Sequence, residues 1–293
     1  MNTAKAIVVG IDFSPASPSV LRHAAGIAAT VDVPLLVVHV IDASRMSHWL
    51  KGKQKQAGTD KLHEVARRKL ADLVATEPMA AGAELIISSG HPSEAMQAVI
   101  DEKDAGLLVI AANDLTKKRL GLTASRCVRA AHCDVLILRD WQDQRFTRIM
   151  ACVDLSLNSH PVIERGIDAA EYCEATLDVA HVLFPPESDM WGEAVESEQS
   201  KEDFAEHSRA HAHSALENAL QPFEERLKKI TVETTLLEST SPAVRLTHYT
   251  EESGADLVVL GTRGHSKLGA HFLGTNTERL LHDAPVSVLA VRV

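Results

Sequence analysis

The residues best suited to chemistry lie near the end of the chain, where Gly261-Thr262-Arg263-Gly264 is followed after nine residues by Gly274-Thr275-Asn276-Thr277-Glu278. A glycine beside an anion removes the Cβ that would hold the backbone off, and it permits positive φ. Thr275 and Thr277 add hydroxyl donors. A helix beginning near Glu278 would aim its unpaired N–H groups and the positive end of its dipole at the same point. These are the parts of a phosphate cradle, so the segment 261–277, Arg263 and Asn276 included, is the expected anion site.

The cradle needs strands to position it. It directly follows Leu257-Val258-Val259-Leu260, apolar throughout as a strand buried on both faces should be. Two other apolar runs end at candidate contacts: Ile149 to Val153 runs into Asp154, and Leu177 to His181 into Val182. In a parallel sheet, ligands bind beyond the carboxyl ends of the strands where strand order reverses. That rule brings Asp154 to a ribose hydroxyl and Val182 to a base.

The same pattern is written twice. Ile7-Val8-Val9-Gly10-Ile11-Asp12-Phe13-Ser14 matches Ile149 to Ser156 about 142 residues further on, each a short strand ending in Asp-x-Ser. Each half continues with an Ala-rich helical segment and a strand ending in His-Val (His39-Val40, His181-Val182). A long charged helix follows, Gln56 to Thr76 in one half and Ser200 to Lys229 in the other. The third strands are read at Glu84–Ile87 and Thr234–Leu237, and helices open at Pro92 and Pro242. The apolar strands Leu107–Ile110 and Leu257–Leu260 then lead to a last helix and closing strands at Val135–Arg139 and Ser287–Val293. Alternating strands and helices predict an α/β fold of two tandem, doubly wound parallel-sheet domains, residues 1–140 and 146–293, joined by a polar linker around Asp140 to Arg145.

On these residues both halves resemble universal stress protein domains, and the whole chain resembles the tandem (UspE-type) members of that family. The family's loop, G-x2-G-x9-G-[ST], is matched at every position by Gly261, Gly264, Gly274 and Thr275. Its Asp after the first strand and its adenine-contacting Val after the second correspond to Asp154 and Val182. The resemblance implies a Rossmann-like or flavodoxin-like, adenine nucleotide alpha hydrolase-like fold, binding of ATP or AMP, and a role in stress survival. It also implies that the two halves pack as a pseudo-dimer, with a further homodimer of tandem chains left open.

The first half departs from the motif. Its loop reads Ala111-Ala112-Asn113-Asp114 and then, after a shortened interval, Gly121-Leu122-Thr123. A carboxylate opposes phosphate by like charge, and Leu122 removes the hydroxyl that Thr275 supplies. The N-terminal half is therefore expected not to bind ATP in the same way, although Asp12 and Val40 persist and a more apolar ligand stays open. Lys117, Lys118 and Arg119 read as a solvated basic run.

A formal net charge of −10 argues against nucleic acid or an anionic membrane as the main partner. Cys127, Cys133, Cys152 and Cys173 lack C-x-x-C spacing and fit a reducing, cytoplasmic setting as small buried residues. His207 and His211 share one helix face at a spacing zinc can use, with Asp203 or Glu206 nearby, but chance pairs are common among fifteen histidines and a solvated face is the plainer reading. The chain holds no G-x4-G-K-[ST], G-x-S-x-G or H-x-G-H motif, and no second carboxylate is evident near the glycine loop. The leading reading is an adenine-nucleotide-binding stress-response module without catalytic residues. A slow ATPase or nucleotide-dependent enzyme and a nucleotide-independent interaction scaffold are the alternatives.

Overall fold

The computed structural model of the chain describes residues 5–42, 53–112, 121–139, 145–185, 198–262 and 273–293. These form two compact units that meet between Gln144 and Arg145; most of the polar run expected as a linker, 140–144, lies outside the described residues.

The first unit contains β1 (Ile7–Gly10), α1 (Ser17–Val31), β2 (Leu35–Asp42), α2 (Lys53–Ala75), β3 (Glu84–Gly90), α3 (Pro92–Lys103), β4 (Leu107–Ala111), α4 (Leu122–Ala130) and β5 (Asp134–Leu138). Its strands lie in the order β3-β2-β1-β4-β5, every pairing parallel. The central strands carry the core: Val8, Val9, Val37, Val38, Leu108 and Val109 are fully buried. Their unbroken β-branched and Leu runs leave no polar face, so the strands can only sit between two helical layers.

The second unit repeats the plan. It contains β6 (Arg148–Val153), α5 (Ser159–Cys173), β7 (Thr176–Leu183), α6 (Glu198–Leu220), α7 (Glu224–Leu227), β8 (Val232–Glu238), α8 (Pro242–Ser253), β9 (Leu257–Gly261), α9 (Thr275–Asp283) and β10 (Ser287–Val291). Its order is β8-β7-β6-β9-β10, again parallel throughout. In both units strand order reverses between the first strand and the fourth, which is where a doubly wound sheet opens a crevice.

The repeat extends to backbone detail. Helices α1 and α5 both end in a left-handed residue that is not glycine, Asp32 at φ 53° and Glu174 at φ 57°. The N–H groups of these residues return to the carbonyls of Ala28 and Ala170 and satisfy the helix end. Phe13 and Leu155, each following the first-strand aspartate, take φ of 59° and 60°.

Several boundaries differ from the sequence reading. The third strands are longer than expected, Glu84–Gly90 and Val232–Glu238. The helix expected over Ser200 to Lys229 ends at Leu220, passes through a 3₁₀ turn at Gln221–Phe223 and resumes as α7. Pro222 supplies the reason, since it has no N–H to donate and its ring crowds the preceding turn.

Candidate functional site

Beyond the carboxyl ends of β6, β7 and β9, the second unit encloses a cavity of about 430 Å³. Asp154, Val182 and Gly261 line it from the strand ends, and Gly274, Thr275, Asn276 and Thr277 from the start of α9. Seven residues selected from the sequence thus surround one space. Arg263 and Gly264, also selected, lie outside the described residues.

Asp154 organises the first corner. Its Oδ1 accepts the Ser156 N–H at 3.1 Å, the Ser156 hydroxyl at 2.6 Å and the Ser159 hydroxyl at 3.1 Å. This Asx turn folds the chain back into α5 and holds Leu155 in its left-handed conformation. Asn158 and Ser159 also line the cavity and were not singled out from the sequence. A signal was present: Asp154, Ser156 and Ser159 repeat the spacing of Asp12, Ser14 and Ser17. His181 fixes the neighbouring corner, its Nδ1 lying 2.9 Å from the Val153 carbonyl. A carbonyl only accepts, so the proton sits on Nδ1.

The third corner is a helix N-terminus. Helix α9 begins at Thr275, three residues earlier than the expected start at Glu278, with Gly274 at the N-cap. Among the described residues no side chain caps the helix, and its first turn closes through the Glu278 N–H to the Gly274 carbonyl at 2.8 Å. The N–H groups of Thr275, Asn276 and Thr277 are therefore the unpaired donors of the helix, at the positive end of its dipole. Gly274 has φ −59°, so what it contributes is the missing Cβ rather than left-handed backbone. The Thr277 hydroxyl, read from the sequence as a ligand donor, donates instead to the Gly261 carbonyl at 2.9 Å. It joins β9 to α9 and leaves the Thr275 hydroxyl as the side-chain donor of that pair.

The first unit has a cavity of the same size, about 430 Å³, in the matching place. Asp12 Oδ1 accepts the Ser14 N–H at 2.9 Å and the Ser17 hydroxyl at 3.2 Å, and His39 Nδ1 lies 2.7 Å from the Ile11 carbonyl. One end is thus built alike in both units; the other shares a helix start behind a glycine, Gly121 or Gly274, but differs in its side chains. Ala111 stands where the second unit has Gly261, and Ala124 where it has Thr277, so the strand-to-helix tie cannot form. Asp42 adds a second carboxylate to the lining. Asn113, Asp114 and the basic run Lys117 to Arg119 lie outside the described residues.

The model of the Universal stress protein family matches this chain twice, over residues 3–139 and 145–292. The chain belongs to the universal stress protein family. It is similar to a tandem-length universal stress protein of Mycobacterium tuberculosis, with 26% identity over 99% of this chain and 97% of the relative. A universal stress protein A homologue of Coxiella burnetii is 30% identical over 50% of this chain and 96% of its own length. Among solved structures, a universal stress protein of Archaeoglobus fulgidus superposes with a TM-score of 0.69 at 18% identity, covering 99% of both chains, which shows the shared fold.

Elsewhere in this universal stress protein, His207 and His211 are exposed on α6, and His207 Nδ1 donates to the Asp203 carbonyl at 2.7 Å. Among the described residues no group of three or more His, Cys, Asp or Glu side chains is arranged to hold a metal ion. The four cysteines are free thiols. Burial pushes the Cys127 and Cys133 thiols up to about 12. Among the described residues no helix is long and apolar enough to cross a membrane.

Proposed function

We propose that this universal stress protein binds an adenine nucleotide, ATP or AMP, in the cavity of its second unit and acts in stress response as a binding or regulatory module. The observation that carries this reading is the meeting of the α9 N-terminus, uncapped by any described side chain and preceded by Gly274, with Gly261 at the end of β9. Unpaired N–H groups beside residues without a Cβ suit a polyphosphate. In this reading Thr275, Asn276 and the N–H of Thr277 face the phosphates, and Arg263 and Gly264 complete the loop. Asp154 accepts a ribose hydroxyl, and Val182 meets the adenine. Members of the family bind nucleotides, and one universal stress protein has been solved in complex with cAMP.

Binding is favoured over hydrolysis because Asp154 is the one carboxylate among the described residues lining the cavity. Phosphoryl transfer needs charge stabilisation and an oriented water, commonly through metal-holding carboxylates. The first unit keeps the nucleoside end, but Ala111 and Leu122 stand where the second unit has Gly261 and Thr275, so we assign it no ATP. Mass spectrometry of small molecules released from the purified chain, together with a time course on labelled ATP, tests the proposal. Co-purified adenine nucleotide turned over more slowly than about once a minute supports it. Turnover well above that rate defeats the module reading, and failure to bind ATP at millimolar concentration defeats nucleotide binding altogether.

A further inference from the structure

Beneath the cavity of the second unit, on the same face of the sheet, lies a buried polar network. Asp178, third residue of β7, is wholly buried. Its Oδ2 accepts the Tyr249 hydroxyl of α8 at 2.8 Å and the Arg148 Nη2 of β6 at 3.4 Å. Arg148 Nη2 also pairs with Glu233 on β8, and the Tyr249 hydroxyl lies 3.0 Å from Thr235 Oγ1. The Asp178 Oδ1 and Arg148 Nε are buried with no hydrogen-bond partner among the described residues.

Such a network costs free energy to bury, and a well-packed apolar cluster of the same volume is often at least as stable. The first unit uses that cheaper solution. At the positions of Arg148, Asp178, Thr235 and Tyr249 it carries Ala6, Leu36, Ile86 and Val99, all apolar. The polar version therefore occurs in the unit whose glycine loop is intact, and the apolar version in the unit whose loop has decayed.

The location suggests what the polar version does. Tyr249 stands two helical turns along α8 from Pro242, about 10 Å. Pro242 and Leu246 wall the cavity. Asp178 lies four residues before Val182 on β7, about 13 Å along the strand. Cys152, on the same face as Asp178, forms part of the cavity lining. Its thiol is pushed up by burial and further by the Asp178 charge. Apolar burial is non-directional, whereas a hydroxyl-to-carboxylate bond has a defined geometry and adds a directional constraint on the register of helix and strand.

We propose that the Arg148–Asp178–Tyr249 network positions α8, setting the wall of the nucleotide cavity rather than adding to the stability of the unit. The inference rests on the function proposed above for the nucleotide arm of its test alone. Asp178 and Tyr249 are positioning residues, acting through Pro242 and Leu246.

The experiment transplants the first unit's residues, Arg148→Ala, Asp178→Leu, Thr235→Ile and Tyr249→Val together, into the full chain. Thermal unfolding and amide hydrogen exchange are recorded without nucleotide, and ATP is then titrated. We expect the melting temperature to hold or rise, exchange at amides 245–250 to accelerate at least about tenfold, and ATP affinity to fall about tenfold. Unchanged exchange there overturns the proposal. So does a lowered melting temperature with exchange rising throughout the unit, which marks a merely structural network, or unchanged affinity beside a loosened helix. A wild-type chain that binds no ATP counts against the proposed function, while the exchange arm still decides the positioning role. If the transplant does not fold, Tyr249→Phe keeps the ring and removes the donor: faster exchange at the same amides supports the proposal and unchanged exchange overturns it.

Discussion

The hydroxyl of Thr277 donates to the carbonyl of Gly261 across 2.9 Å, joining the first turn of α9 to the last residue of β9. Sixteen residues separate the partners in sequence, and both line the cavity. The bond fixes the angle at which the uncapped helix end meets the strand tips. The first unit, with Ala124 at the matching position, has no such bond to make.

Replacing Thr277 by Ala is expected to cost about 1 kcal/mol of stability, the usual net worth of one hydrogen bond. ATP affinity should fall by a larger factor, about tenfold, because the donors at the start of α9 lose their fixed position. Urea unfolding and calorimetric titration of the same variant separate the two effects.

Asp154→Ala removes the acceptor of three hydrogen bonds and the support of a left-handed leucine. The second unit should lose about 2–3 kcal/mol, seen as a lower urea midpoint, and nucleotide binding should disappear. Asp12→Ala should destabilise the first unit comparably and leave ATP binding intact.

A methyl group added at Gly166 on α5 would come within 3.0 Å of Leu177 Cδ1 and 3.2 Å of Ala151 Cβ. Both atoms belong to packed strands, so Gly166→Ala should destabilise by about 1–3 kcal/mol despite the better helix propensity of alanine. Denaturant unfolding measures this directly; a stabilised variant would show that α5 can move off the sheet.

The thiols of Cys127 and Cys133, raised from 9.0 to about 12 by burial, give stability a definite pH dependence. Between pH 9 and 12 the unfolded chain releases these protons and the folded chain keeps them. Their contribution is complete below pH 9 and is lost as pH rises toward 12, at about 1.4 kcal/mol per pH unit for each thiol. Unfolding free energies at pH 8 and 10 should show a shallower decline for Cys127→Ala than for the parent chain.

The doubly wound parallel plan and seven residues of the cavity lining were legible in the sequence because they depend on local patterns. Apolar runs such as Leu257–Leu260 admit only a doubly buried strand, and Asp-x-Ser and His-Val recur at matching places in both halves. The start of α9 was not legible: Thr275, Asn276 and Thr277 are weak helix formers that read as loop, and Gly274 at the N-cap offers no side-chain signal. The long helix reading failed at Pro222 for the opposite reason, since charged periodicity outweighed one breaker. Asp178 sits in an ordinary strand pattern, and its partner Tyr249 is 71 residues away, a separation that no local pattern spans.

Calorimetric titration of ATP into the full chain, repeated on Thr275→Leu and on Asp12→Ala, reads nucleotide binding unit by unit. The account predicts one site per chain, strongly weakened when Thr275 takes the residue of the first unit and unaffected by loss of Asp12. No binding heat, two equal sites, or a single site that vanishes with Asp12 and survives Thr275→Leu would contradict it.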